Sequence, residues 1–235
     1  MRLYNKEKPL IFIHIPKCGG TSLLNIVRGW FDSDCYKHYY RKRENLMPQK
    51  HPFKGRICIC GHFNRKRGFG VEDYYPEADQ LITVLREPLE AAQSSYFHWK
   101  RKLRQFRIEN GILKEGDYWD FLDIKDYFKK RPQSHILNFL PKEINEKNFK
   151  KVLREKFVYI GITEDLDTSI NQLAKRLGFP PVTIDHLNKS ERNEELPAHV
   201  AEKFIADNKL VYQIYYYAKS QYNKDASERK QRAKN

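Results

Sequence analysis

The chain has 235 residues, of which 44 are basic and 30 acidic, giving a formal net charge of +14 and a pI near 9.5. This length fits one α/β domain with a substantial core. The sequence shows no repeat of solenoid period, and no apolar run approaches the roughly 18 residues of a membrane helix. The positive charge has three interpretations: nucleic-acid binding, binding of an acidic substrate, or simple solvation.

The first ordered stretch is Leu10–Ile26, which begins with the apolar run Leu-Ile-Phe-Ile. Such a run predicts a buried strand, and Pro16 ends the ladder because proline has no N–H to donate. Gly19 and Gly20 allow a sharp turn and a close approach of the backbone to a ligand. We expect Thr21 and Ser22 to cap a helix that continues to about residue 31.

A strand, a glycine turn and a helix N-terminus in this order predict an anion site, to which Lys17 adds a full positive charge. The ATP-binding P-loop differs, because its lysine follows the second glycine. The order Pro16-Lys-Cys-Gly-Gly-Thr-Ser22 resembles the 5′-phosphosulfate loop of sulfotransferases that use 3′-phosphoadenosine 5′-phosphosulfate (PAPS). Within that family the sequence most resembles the branch of carbohydrate sulfotransferases, which contains heparan sulfate 2-O-sulfotransferase. A strand–turn–helix without a ligand is the alternative interpretation.

This resemblance implies an α/β, P-loop-like three-layer fold with a central, mainly parallel sheet flanked by helices. It also implies that the donor's 5′-phosphosulfate binds along the loop. The residues concerned are Lys17, Cys18, Gly19, Gly20, Thr21 and Ser22.

The segment Asp32–Pro52 has weak apolar periodicity, so we predict a loop or a short helix. A second strand is predicted over Arg56–Cys60, followed by Gly61 and His62. A histidine there lies at the carboxyl edge of the sheet, where open α/β sheets bind ligands. In the resembled branch a Gly-His at this point supplies the catalytic base, so His62 is the candidate base and His14 its rival.

The clearest strand is predicted over Gln80–Leu85 and is followed by Arg86 and a helix that carries Ser94. An arginine at a strand end with a serine eight residues later matches the 3′-phosphate motif of the resembled family. The chemistry suits that role, because a guanidinium fork and a hydroxyl both donate to phosphate oxygens.

The second half of the chain is predicted to be mostly helical over residues 100–150, with helical periodicity at Tyr118–Phe128 and Ser134–Phe139. The basic cluster Trp99–Arg107 is typical of a solvated helix face. A fourth strand is predicted over Phe157–Ile162, then a helix stopped by Gly178. One long helix is predicted over Pro197–Tyr217.

The loop 186–192 lies where the resembled family closes over its nucleotide, which makes Lys189 and Ser190 candidate cofactor contacts, with Asn188 and Arg192 beside them. The domain is predicted to span residues 1–225, with a basic, disordered tail over 226–235. The four cysteines show no zinc spacing and are expected to be free thiols.

Together these features predict a PAPS-dependent O-sulfotransferase with Lys17 and His62 as catalytic residues. Its partners would be a nucleotide donor and an acceptor hydroxyl of a carbohydrate or small molecule, with no metal, specific nucleic acid or membrane span expected. A P-loop-type nucleotide kinase or NTPase and a basic nucleic-acid-binding protein are the alternatives. Since residues 1–8 lack the apolar core of a signal peptide, we expect a cytoplasmic enzyme or a catalytic region separated from its anchor.

Overall fold

The computed structural model describes residues 1–40, 46–114, 121–183 and 192–232, with side chains in the last range described to residue 224. Its core is a five-stranded, all-parallel sheet in the order β2-β3-β1-β4-β5, flanked by helices. The predicted α/β three-layer fold is therefore confirmed.

Strands and helices alternate through the first half of the chain, apart from the consecutive strands β2 and β3, and helices predominate in the second half. Their bounds are β1 Leu10–Ile13, α1 Gly20–Phe31, β2 Cys35–His38, β3 Cys58–Gly61, α2 Val71–Tyr74, β4 Leu81–Leu85, α3 Pro88–Glu109, α4 Ile124–Lys130, α5 Phe149–Lys156, β5 Phe157–Ile162, α6 Leu166–Leu177, α7 Ala198–Asp207 and α8 Lys209–Arg232.

The strands β1, β3, β4 and β5 are buried along their whole length. Continuous burial is expected of a parallel sheet that is covered by helices on both faces. Helices α6 and α8 pack against β5, and α1 packs against β2 and β3. The apolar runs seen in the sequence therefore form the middle layer.

The strand order places β1 between β3 and β4. After β1 the chain forms β2 and β3 on one side of that strand and then crosses to its other side to form β4. The carboxyl ends of β3, β1 and β4 therefore flank a topological switch point. Open α/β sheets bind their ligands in the crevice at that point. The loops after β1, β3 and β4 carry three of the predicted site residues: Lys17, His62 and Arg86.

The segment Asp32–Pro52 was predicted to be a loop or short helix, which is wrong for its first part, because β2 is an edge strand. Contacts of the buried His38 side chain hold β2 in place. Its ring stacks on Phe63 with 4.3 Å between the centroids, and its Nε2 lies 3.2 Å from the carbonyl oxygen of Phe69. Four residues are too few to show a period of two in the sequence.

The long helix predicted over Pro197–Tyr217 is also wrong, because two helices meet at Asn208. The Asn208 side chain is buried and donates to the carbonyl oxygens of Pro132 and Phe204, while its Oδ1 accepts from the Ser134 N–H, all at 2.7 Å. The hydrogen bond to Pro132, 76 residues away in the chain, thus helps to fix the break between α7 and α8.

The helical periodicity of residues 118–128 yields a shorter helix than predicted. Within the described part of that segment the helix begins at Ile124, where Asp123 caps it by accepting from the Asp126 N–H at 2.7 Å. Residues 136–138 form a single 3-10 turn. The domain boundary at residue 225 stays a prediction, while the backbone of α8 continues to Arg232.

The four cysteines are free, as expected. Within the described ranges, no helix has the length and apolar character needed to cross a membrane.

Asn208→Ala is expected to lower the free energy of unfolding by about 2–3 kcal/mol, because the buried Ser134 N–H loses its acceptor and two carbonyl groups lose a donor. Denaturant unfolding measures the change. Asn145→Ala is the matched control, since that exposed side chain also accepts from backbone N–H groups but water can replace it. Equal losses in the two variants would contradict the role given to Asn208.

Candidate active site

The loop between β1 and α1 has an unusual backbone. Lys17 has φ 68° and Gly19 has φ 74°, so both lie in the left-handed region. For a residue with a side chain this conformation costs about 1–2 kcal/mol, and it turns successive N–H groups towards one concavity. A strained lysine at the start of a helix is typical of a functional loop.

The helix cap differs from the sequence prediction. Gly19 is the N-cap of α1 and no side chain caps the helix, so Thr21 and Ser22 lie in its first turn. The first N–H groups of α1 are therefore left for a ligand.

Gly20 is required by a contact with His14. A Cβ on Gly20 would lie 2.0 Å from Cδ2 and 2.5 Å from Nε2 of His14. The His14 ring therefore packs directly on the backbone of the first helical turn. Gly19 is enclosed as well, since a Cβ there would meet the side chains of Thr163 and Leu166 at 3.3–3.4 Å.

His14 and His62 form one cluster with Tyr39. The two imidazole centroids are 4.6 Å apart, and Tyr39 stands edge-on to both rings. Nδ1 of His62 lies 2.5 Å from the carbonyl oxygen of His14, and Nδ1 of His14 lies 2.8 Å from the Tyr39 hydroxyl. Because a carbonyl only accepts, the neutral His62 carries its proton on Nδ1, and its Nε2 is an acceptor.

Burial keeps both imidazoles neutral. It lowers the pKa of His14 to about 3, with a further contribution from the charge of His62. Burial also lowers the pKa of His62, and the hydrogen bond to the His14 carbonyl opposes that shift only in part. At neutral pH His62 can therefore accept a proton.

The arginine after β4 is held in an ion-pair network. Nη2 of Arg86 lies 3.3 Å from Oε2 of Glu90, and Nη1 lies 3.5 Å from the carbonyl oxygen of Lys17. Arg192 pairs with both oxygens of Glu90, at 3.1 and 2.7 Å. The hydrogen bonds from Arg192, followed by the charges of Arg192 and Arg86, hold the pKa of Glu90 below its usual range despite burial. Glu90 thus gathers two guanidinium groups beside the loop.

These parts surround a single cavity of about 960 Å³. Most of the residues predicted from the sequence line it: Lys17, Gly19, Gly20, Thr21, Ser22, His62, Arg86 and Ser94. Cys18 is not part of the lining; its thiol is fully buried, and burial raises its pKa to about 12. Lys189 and Ser190, with Asn188, lie outside the described residues.

The sequence did not single out His98 and Arg101, which also line the cavity. Both lie on α3, four and seven residues after Ser94, and therefore on the same face of the helix as Ser94. This helical spacing from Ser94 is the sequence signal that could have identified them. Burial, followed by the charges of Lys17, Lys102 and Arg101, lowers the pKa of His98 to about 4.

His135 was also missed. Its Nε2 lies 2.9 Å from the carbonyl oxygen of Pro16, which ties the strained loop to the turn after α4. No local pattern connects residues that are 119 positions apart.

The charge around Lys17 is strongly positive. Burial lowers the pKa of Lys17, and the charges of Arg101, Arg86 and Lys102 lower it further. Carboxylates line another part of the wall, at the start of α6: Glu164, Asp165 and Asp167. A cluster of cations that repel one another at a helix N-terminus is arranged for an anionic ligand.

Comparisons with known proteins add little to this description. No protein-family model and no curated protein matches the chain. The solved structure of mouse sulfotransferase SULT7A1 complexed with PAP aligns with 87% of this chain at 13% identity and a TM-score of 0.35. The chain spans 64% of the length of that protein. At this TM-score the similarity carries no argument about function, so the interpretation depends on the residues themselves.

Gly20→Ala is expected to lower the free energy of unfolding by about 1–3 kcal/mol, because the added Cβ would overlap the His14 ring. Gly29→Ala is the control in the same helix: nothing lies within 4 Å of its Cβ, and it should raise the stability by about 0.5–1 kcal/mol. Denaturant unfolding of both variants measures the difference. The same sign for both would contradict the packing of His14 on Gly20.

Proposed function

We propose that this protein is a PAPS-dependent O-sulfotransferase, which transfers a sulfuryl group to the hydroxyl of a carbohydrate or small molecule. The observation that carries the proposal is the position of His62, a neutral imidazole with Nε2 free to accept, in the same cavity as Lys17 and Arg86.

The cavity suits an anionic nucleotide in size and in charge. About 960 Å³ lies at the upper end of the range of about 300–1,000 Å³ for small-molecule sites. Lys17 and the N–H groups at the start of α1 would bind the 5′-phosphosulfate, and Arg86 with Ser94 would bind the 3′-phosphate. Glu90 would keep the Arg86 guanidinium oriented through their ion pair.

The bound donor supplies the sulfuryl group for transfer. His62 Nε2 would take the proton of the acceptor hydroxyl as its oxygen attacks sulfur, and its Nδ1–H would stay on the His14 carbonyl. Lys17 and the helix N–H groups would stabilise the negative charge on the departing phosphate oxygen, at about 3 kcal/mol per well-placed donor.

Calorimetric titration with 3′-phosphoadenosine 5′-phosphate (PAP) tests the donor site. We expect binding that requires the 3′-phosphate and that weakens about 10- to 100-fold in Arg86→Ala, because a charged hydrogen-bond donor to phosphate is lost. Arg154→Ala, an exposed arginine on α5, is the matched control.

The same titration with PAP, with its 3′-dephosphorylated form and with ATP plus Mg²⁺ distinguishes a sulfotransferase from a kinase or NTPase. Equal affinity for PAP and its 3′-dephosphorylated form would rule out the role of Arg86 and Ser94. Preference for ATP with Mg²⁺ would favour the kinase or NTPase interpretation instead.

His62→Ala is expected to reduce turnover about 100-fold or more and to leave PAP affinity nearly unchanged, since the base acts on the acceptor. Lys17→Ala should reduce turnover by a similar factor. The measurement is PAP release from PAPS with a set of simple phenol and sugar acceptors. His199→Ala, an exposed histidine on α7, is the control. Wild-type turnover in His62→Ala would reject His62 as the catalytic base and leave His14 as the candidate base.

The pH profile of kcat/KM provides an independent test, because it reports the free enzyme. The base must be neutral, so activity should fall as pH decreases through the pKa of His62. Burial places that pKa below its ordinary 6.5. We expect an acid limb with its midpoint below 6.5, and a midpoint above that value would contradict the assignment.

A further inference from the structure

The second half of α3 carries an exposed apolar stripe. The side chains of Trp99, Leu103 and Phe106 are 41%, 40% and 57% exposed, and Ile112, after the turn at Gly111, is 64% exposed. Spacings of four and three residues place the first three on one face of the helix, over about 10 Å of its length. Single exposed apolar residues are normal, whereas a row of them marks an interaction surface.

The first half of the same helix behaves differently. Ala91, Ser95, Tyr96 and Phe97 are buried in the domain. From Trp99 onwards most side chains are exposed, including Arg101 and Lys102. The helix therefore extends outwards from the domain body, and its end presents the stripe to the surroundings.

Basic residues flank the stripe. The segment 99–107 contains five lysines and arginines and no carboxylate. At 100° per residue, Lys102 lies on one side of the stripe and Lys100 and Arg107 on the other. Lys100 is ion-paired to Glu194 at the base of the segment. An apolar face of Trp, Leu and Phe with cations on both sides fits a helix that lies in the interface of an anionic membrane.

We propose that the α3 docking surface, formed by Trp99, Leu103, Phe106, Ile112 and the cations beside them, binds membranes that contain anionic phospholipids. The apolar side chains enter the headgroup region, and the cations contact lipid phosphates and carboxylates.

The stripe and the cavity lie on opposite faces of α3. Arg101, which lines the cavity together with Lys17 and His98, is two residues after Trp99 and so is turned about 200° from it around the helix axis. Membrane binding by the stripe therefore does not depend on the proposed function.

Cosedimentation of the full chain with vesicles tests the proposal directly. We expect binding to phosphatidylcholine vesicles that contain phosphatidylserine, little binding to phosphatidylcholine alone, and weaker binding as salt is raised. Tryptophan emission should shift to shorter wavelength with the anionic vesicles, and Trp99→Phe should remove the shift.

The double variant Leu103→Glu/Phe106→Glu should reduce vesicle partitioning at least about tenfold, a change of about 1.4 kcal/mol. The matched control Leu3→Glu/Ile205→Glu makes the same change in charge at exposed apolar residues elsewhere. It should retain most of the binding. Because all four positions are exposed, both variants should keep the wild-type Tm and PAP affinity.

Absence of wild-type binding to anionic vesicles would overturn the proposal, as would an equal loss in the two double variants. Self-association in sedimentation velocity that Leu103→Glu/Phe106→Glu abolishes, without vesicle binding, would assign the surface to a second copy of the chain. Vesicle binding with no PAP binding would leave this proposal standing and reject the proposed function.

Discussion

The parallel pairing of β1 with both β3 and β4 is the constraint on which the candidate site depends. Ile13 lies opposite Gly61 on one side and Thr83 on the other. His14 and His62 are the residues that directly follow β1 and β3, which explains why their rings lie 4.6 Å apart. Since β4 ends at the same edge, Arg86 reaches the loop that contains Lys17. A shift in either pairing would separate these side chains.

The site gathers features that oppose folding. Lys17 adopts a left-handed backbone, Arg86 and Arg101 repel it, and two buried imidazoles must remain neutral. Each feature is unfavourable alone, and the buried sheet offsets them. A bound anion would relieve the repulsion among the cations, so ligand binding should couple to stability. The surrounding contacts, from His135 to the loop and from His14 to Gly20, hold the arrangement in place.

Helix α3 serves both the cavity and the outer surface. Its start supplies Ser94 to the cavity and pairs Glu90 with Arg86, its middle supplies His98 and Arg101, and its end carries the exposed stripe. Because one rigid helix spans these regions, whatever binds the stripe is held at a fixed distance from the cavity. Basic side chains of α3 therefore lie in two different places, at the cavity and beside the exposed stripe.

The sequence by itself determined the features that local chemistry controls. Apolar runs predicted β1, β4 and β5, the glycines predicted the turn before α1, and Gly178 predicted the end of α6, where it adopts φ 80°. The spacing from Arg86 to Ser94 marked two residues that both line the cavity. These signals are visible because the residues involved are close in the chain.

Only the tertiary structure decided the rest. The edge strand β2 depends on the burial of His38 against Phe63, the break at Asn208 on contacts with residues 132–134, and the loop geometry on His135. The proton position on His62 follows from the carbonyl oxygen of His14, which comes directly after the neighbouring strand β1. In each case the contact joins residues that are distant in sequence, so no local sequence pattern predicts it. The contact forms only because the whole domain packs in this way.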